Sequence, residues 1–467
     1  MTERELIGVS ALAVLFALIA AGVPIALAML LVAVGGAYVL SLFVPFLRFE
    51  PYLLQFKTAL FSTVTSYDLS IVPLFLLMGF LAARCGLSRD LFEGIEALVG
   101  RFRGGTAIAT IAACAGFGAV CGSSLATAST MGRIALPEFA RAGTHKRFAA
   151  GVLAAGGTLG ILIPPSVALV LYAVIVEASV IDMFRAALVP GAMAVLGFIG
   201  VVLVLVWRDR ELAPAAPESD RRQRRLALLR LVPVLAIFGA MIMGVGVGLF
   251  TPTPAAAVGV ALVIAYGWLR PLIFGTGAGT DRLDGAALRA ALRETAQTGG
   301  MIYLILFAAD VLKGFFARTG LPSALSDWLL ATGLGPFQIL ALLLIGLIVL
   351  GCFFESLALI LVVVPFVWPA LVQLNGGDVV TADQAGFGMT TDDLKIWFGI
   401  LALVVIELGL ITPPVGLNVF VIKSLSDDLS VADVFRGVMP FFAVELLRVA
   451  VLFAVPAFVL AIPWALR

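Results

Sequence analysis

The stretch GGTLGILIPPS, residues 156–166, carries no charge, yet it sets two prolines side by side in an apolar run long enough for a membrane helix. Proline donates no backbone N–H, and the residue before it is pushed away from helical dihedrals. A helix here therefore breaks at Ile163, and Pro164 and Pro165 leave the carbonyls of Gly160 and Ile161 without their donors. The same device recurs. LGILIPPSVALV (159–170) aligns without a gap on LGLITPPVGLNV (408–419), an offset of 249. There Pro413 and Pro414 break the helix at Thr412 and deprive Gly409 and Leu410. Upstream, ARCGL (83–87) aligns with ARTGL (317–321). Two matches in the same order point to a duplicated unit.

Composition says what medium surrounds these breaks. Of 467 residues, 62% are hydrophobic and 13% charged, with mean hydropathy +1.13. A soluble domain has about twice that charge, so this is an integral membrane protein. Apolar residues run consecutively rather than alternately, which predicts an all-α polytopic chain and excludes a barrel. Run lengths predict about ten to thirteen membrane elements, the shorter ones as half-helices or re-entrant hairpins. The start, MTEREL, is net acidic and reads as the first of two helices with a turn near Gly22 and Pro24, not as a signal peptide.

Several functions lack their residues. The net charge is +1, with no basic patch for nucleic acid. The single His145 lies in the charged loop RAGTHKR, and Cys85, Cys114, Cys121 and Cys352 form no CxxC pair. No catalytic constellation is present, so an enzyme is not expected, nor a cofactor.

Residues 208–230 hold seven arginines against four acids, and 270–294 are also arginine-rich. Both are expected on the cytoplasmic side, with a helical hairpin at 231–270 turning outside at FTPTP (250–254). The stretch 208–230 is then a linker between a first half, 1–207, and a second, 231–467. GTGAGT (275–280) has no strand before it and reads as a flexible loop, not a phosphate site.

Carbonyls without donors are tolerated in a membrane only inside protein or beside a wet cavity. The four at Gly160, Ile161, Gly409 and Leu410 suit a hard monovalent cation. Beyond each break a half-helix starts, and its free N–H groups favour an anion. Matching breaks in two repeats are the mark of a secondary transporter's midplane site; a lone kink would serve packing equally well. CGSSLATAST (121–130) and GCFFES (351–356) read as hairpin tips facing the breaks, or as small-residue packing patches. Glu407 reads as a functional acid or as an acceptor for backbone N–H groups at the break. Asp310 and Lys313, three apart, read as an ion pair. Ser166, Thr412 and Asn418 are candidate ligands for a substrate carboxylate, or helix caps.

GGTLGILIPPS, GLFTPTPAAAVGV (248–260) and LGLITPPVGLNVFV (408–421) resemble signature segments of the large membrane subunit of TRAP transporters, the tripartite ATP-independent periplasmic carriers. One departure is Pro254, where an acid often stands. The resemblance implies an elevator-type transporter of the bacterial inner membrane, built from inverted repeats, each with a re-entrant hairpin and a broken helix. These fall near 121–140 and 148–178 in the first half and near 351–374 and 396–421 in the second, followed by a C-terminal helix. It implies sodium (Na+) as coupling ion, held at Ser123, Ser124, Gly160 and Ile163, and at Gly351, Gly409 and Thr412. It further implies a small four-helix membrane subunit and a soluble periplasmic binding protein, expected as separate chains, and uptake of a small organic acid. An ion channel, or an ion-coupled carrier working without a binding protein, is the alternative.

Overall fold

A computed structural model describes residues 2–44, 46–215, 221–246, 248–274, 283–426 and 428–466. The expected loop at 275–280 lies outside them. Among the described residues all regular structure is helical. The chain opens with α1 (Glu3–Ala20) and α2 (Ile25–Phe43), which turn at Gly22 and Pro24, then α3 (Phe49–Thr65) and α4 (Ile71–Arg84), a pair bent by 58°. A short α5 (Leu87–Val99) leads to a hairpin of α6 (Gly105–Cys121) and α7 (Ser124–Arg141). The first broken helix is α8 (Lys146–Leu162) with α9 (Val167–Val176), bent by 45°. Then come α10 (Val180–Arg208), α11 (Arg221–Gly246) and α12 (Pro252–Phe274).

The second half repeats this order. Long α13 (Gly285–Thr319) leads to short α14 (Leu321–Ala331), then a hairpin of α15 (Pro336–Gly351) and α16 (Ser356–Asn375). The second broken helix is α17 (Thr391–Gly409) with α18 (Leu417–Ser424), followed by α19 (Val431–Ala454) and α20 (Ala457–Leu466). The ARCGL and ARTGL motifs are the same corner: α4 and α13 end there, and Gly86 (φ 80°) and Gly320 (φ 71°) turn the chain into α5 and α14. Positive φ suits glycine because it has no Cβ. Each hairpin returns to its own side, so the crossings from the first bent pair onward are α3–α4, α8–α9, α10, α11, α12 and α13. α13 is the sixth and runs opposite to α4, which makes the repeats inverted.

Seven helices are long and apolar enough to span, or nine counting each bent pair once, and three shorter apolar helices stand beside them, where ten to thirteen elements including half-helices and hairpins were expected. Two features keep the remaining helices out of the count of full spans. Apolar α6, α15 and α20 are too short, and α1 and α17 carry more charge than a lone span tolerates. The linker expected at 208–230 is helical from Arg221 onward. Two of its seven arginines hold α5: Arg224 Nε donates to Ala97 O (2.9 Å), and Arg230 faces Glu93 and Asp90, while Arg208, Arg210, Arg221, Arg222 and Arg225 are exposed. Fully buried Asp90 also takes a bidentate contact from Arg270 of α12 (Nε 2.5 Å, Nη2 3.0 Å). These contacts fix amphipathic α5 to the α11–α12 hairpin.

The broken helices form the core. Every residue of α8 from Phe148 to Leu162 is buried, as is nearly all of α17. A helix apolar all round belongs inside. Around them α10 turns Leu196, Leu203 and Trp207 outward. In α19, Glu445 and Arg448 are buried and paired, and Arg448 Nη1 also donates to Pro190 O of α10 (2.8 Å). The pair expected between Asp310 and Lys313 is absent: both are exposed, and neither has an ion pair or hydrogen bond among the described residues.

Candidate functional site

The hairpin tips lie at Gly122–Ser123 and Cys352–Glu355. At the first, Gly122 (φ 62°) ends α6 and Ser123 caps α7 through Ala126 N (3.4 Å). Each second arm opens on a serine, Ser124 in α7 and Ser356 in α16. One carboxylate meets both. Glu407, fully buried near the end of α17, accepts from Ser124 Oγ at its Oε2 (2.5 Å) and from Ser356 Oγ at its Oε1 (2.6 Å). The two hairpins, distant in sequence, are thus joined through one side chain of the second broken helix. The partners are serine hydroxyls, not the backbone N–H groups at the break that one of the two sequence readings of Glu407 offered.

Each hairpin also sits on its own broken helix, glycine against glycine. A Cβ on Gly118 would lie 2.4 Å from Gly160 Cα, and one on Gly409 would lie 2.7 Å from Gly351 Cα. Gly160 and Gly409 are equivalent under the repeat, so both contacts fall at the same point beside the breaks. Ser123 O lies 3.0 Å from where a Gly160 Cβ would stand. Ser123, Ser124 and Gly160 therefore gather at the first tip and break, and Gly351 and Gly409 at the second.

The breaks themselves differ. α8 ends at Leu162, Ile163 is extended, and buried Pro164 and Pro165 carry the chain to Ser166, which caps α9 through Leu169 N (3.5 Å). No donor reaches the carbonyls of Gly160 or Ile161 among the described residues. In the second half α17 ends earlier, at Gly409, before exposed Pro413 and Pro414. The expectation of stranded carbonyls there is corrected. Gly409 O accepts from Thr412 N (3.0 Å), and Leu410 O accepts from Asn418 N (3.1 Å). Thr412 Oγ1 donates to Leu408 O (2.6 Å). The reason is local: with five non-proline residues between α17 and α18 against two between α8 and α9, and Gly416 at φ 65°, the chain folds back far enough to supply donors. A carbonyl has two lone pairs, so both oxygens keep one. Both Pro–Pro bonds are cis.

Asn418 ties the halves together again. It is fully buried, and its Nδ2 donates to Ala154 O of α8 (3.4 Å). Among the described residues its Oδ1 has no hydrogen-bond partner, nor has buried Thr127 Oγ1. Both flank the glycines of α8: Asn418 Nδ2 lies 3.0 Å from a Cβ built on Gly157, and Thr127 Oγ1 2.6 Å from one built on Gly160. Buried polar atoms ordinarily find partners, so orphaned ones mark a place for a ligand. At the second tip Gly416 N donates to Cys352 O (3.2 Å), and the Cys352 thiol reaches Pro413 O (3.5 Å). Glu355 adds a carboxylate beside Ser356 with no partner among the described residues.

Sequence reasoning chose the regions and missed Ser356, Thr127 and Glu355. All three lay within the quoted hairpin-tip stretches, Thr127 in CGSSLATAST and Glu355 and Ser356 in GCFFES. Glu407 was noticed but not placed at the joint.

Hairpins and broken helices converging in inverted repeats describe a carrier, and the sequence says which. Residues 12–458 match the family described as tripartite ATP-independent periplasmic transporter, DctM component. The chain belongs to that family. It is 33% identical over 410 residues to the C4-dicarboxylate TRAP transporter large permease protein DctM of Pseudomonas aeruginosa, covering 86% of this chain and 88% of that one. It is 29% identical to the sialic acid TRAP transporter large permease protein SiaM of Vibrio cholerae, covering 86% and 87%. The crystal structure of the Alcanivorax borkumensis YdaH transporter, titled as revealing an unusual topology, matches with a TM-score of 0.58 at 14% identity over 89% of each chain. That likeness concerns the fold alone. This DctM-family chain is a multi-pass inner-membrane protein, and its relatives are permeases rather than enzymes.

Proposed function

We propose that this subunit imports a small organic acid together with sodium, and that its two hairpins and two broken helices move as one body across the bilayer against the remaining helices. A separate soluble periplasmic protein delivers the substrate, and a small membrane subunit completes the static part. The observation that supports this most is the double acceptance at Glu407. Hydrogen bonds from both hairpin tips to one buried carboxylate, with Asn418 of α18 bonded to α8, leave no independent hinge between the repeats.

The chemistry divides between two kinds of group. Open carbonyls at Gly160 and Ile161, the second lone pairs at Gly409 and Leu410, and the tip residues Ser123 and Gly351 suit sodium, a hard ion that takes oxygen. The first turns of α9 and α18, with Ser166, Thr412 and the orphaned Asn418 Oδ1 beside them, suit an acid: N–H groups hold its carboxylate and the amide reads a hydroxyl. Bound together, anion and cations lower the net charge crossing the apolar layer. A carboxylate fits the relatives, two of which are named for C4-dicarboxylates and sialic acid.

The test is reconstitution with the small subunit and a binding protein in liposomes. Uptake of a labelled dicarboxylate or sialic acid is expected to stop when an ionophore collapses the sodium gradient and to persist when potassium alone is dissipated. Uptake indifferent to sodium refutes the coupling. A steady current without the binding protein refutes the carrier in favour of a channel.

A further inference from the structure

A cleft of about 410 Å³ lies beside the first break. Pro164 and Pro165 form one wall, Phe184 and Arg185 of α10 another, and Met241 and Ala255 of α11 and α12 close it. Ala255 stands just past the turn at 250–254, which the arginine-rich stretches 208–230 and 270–294 set on the outer side. α10 ends at the first of those stretches, so its start is outside too, and at 1.5 Å per residue Arg185 lies about 8 Å along it. The cleft thus occupies the outer half of the membrane, between the first broken helix and the helices read above as static. Leu188 lines it and is exposed, so it opens at the surface of the chain.

Among the described residues that line the cleft, Arg185 alone has a polar side chain. Its Nη1 donates to Asp182 Oδ1 at 3.4 Å, longer than an ordinary N–H···O bond. Its Nε is buried and has no hydrogen-bond partner among the described residues. A buried donor without an acceptor marks a missing partner, and the guanidinium fork matches a carboxylate. The other walls can hold only an apolar body. The small acid carried through the breaks has none, so this is a second site. Ligand pockets are of this kind, mostly apolar with a few polar groups. At roughly 30 Å³ each, the share of a water molecule in its liquid, the space takes about a dozen heavy atoms. That is one short acyl chain with its acid group, not a two-chained lipid.

We propose that the cleft binds a medium-chain carboxylate, its acid on Arg185 and its chain along Pro164 and Pro165, and that the bound acid slows transport by wedging the moving body against the static helices. The wedge rests on the moving-body reading above; the binding does not.

The probe is decanoic acid with a terminal diazirine, added to the full chain reconstituted with its small subunit and binding protein. Light is expected to place adducts on α10, α11 or α12 beside the cleft. Unlabelled decanoate is expected to displace the probe, and decanol and phosphatidylglycerol are not. Arg185→Leu is expected to cut labelling about tenfold or more, since a charge-assisted hydrogen bond is lost, and Arg185→Lys to restore part of it. Ala255→Leu, which fills the cleft, should lower labelling likewise, and it decides if Arg185→Leu does not fold. Decanoate below micelle formation should slow sodium-driven uptake severalfold in the wild type and little in Arg185→Leu. Labelling undiminished in both variants, or decanol as good a competitor as decanoate, overturns the site. Displacement by phosphatidylglycerol alone makes the occupant a membrane lipid and overturns the acid. Equal inhibition of wild type and Arg185→Leu, or none in a labelled wild type, overturns the wedge. Uptake that ignores sodium overturns the transport reading itself, and the labelling still decides the site.

Discussion

Replacing Glu407 with alanine is expected to cut substrate uptake about thirtyfold or more, because each buried hydroxyl left without its acceptor costs about 1–3 kcal/mol. Ser124 and Ser356 both lose their partner at once, and the hairpin tips part. Glutamine should do less harm. Its carbonyl accepts from one serine while its amide donates to the other, so the joint survives although the charge does not. A cycle separates this joint from a merely buried acid. Ser124→Ala with Ser356→Ala should weaken uptake alone, yet add little to Glu407→Ala, since residues of one network do not act additively. Uptake rates in proteoliposomes decide it. If Glu407→Ala transports like the wild type, or if the serine changes add in full, Glu407 does not couple the repeats.

The second large effect is steric. Gly118→Val is expected to destabilise the protein by about 1–3 kcal/mol and to stop transport, because overpacking a tight contact forces backbone apart. The Cβ alone would lie 2.4 Å from Gly160 Cα, so α6 has to leave α8. Gly409→Ala should act alike, with Gly351 Cα at 2.7 Å. Gly200→Ala on α10 is the control: nothing lies within 4 Å, and alanine is the better helix former by about 1 kcal/mol. Thermal unfolding in detergent together with uptake separates the outcomes. A Gly118→Val protein that melts and transports like the wild type contradicts the proposed seat of the hairpin.

Much of this architecture was legible because membrane chains have few ways to satisfy their backbone. A doubled proline breaks a helix wherever it falls, and the breaks stand at Leu162–Ser166 and just after Gly409. ARxGL was legible only as a repeat; the structure shows it to be a corner, where a helix that must turn needs a residue tolerant of positive φ. What escaped reading depended on contacts between distant segments. Nothing near Glu407 in sequence says that Ser124, 283 residues away, donates to it. The stranded carbonyls were half right for a related reason: proline removes a known donor, but Thr412 N and Asn418 N return one, and only the course of the turn decides that. The expected pairing of Asp310 with Lys313 failed because spacing permits an i,i+3 contact without requiring it.

The central claim is that sodium binds where hairpin tips and helix breaks meet, and the chain carries its own reporter there. Cys352 forms the second tip; it is 3% exposed and its carbonyl accepts from Gly416 N. Alkylation of this thiol reports how often the tip opens, with Cys352→Ser to identify the signal. The account predicts that sodium, at an ionic strength matched with potassium or choline, slows alkylation of Cys352 at least severalfold in the intact protein. Equal rates in sodium and potassium would contradict it.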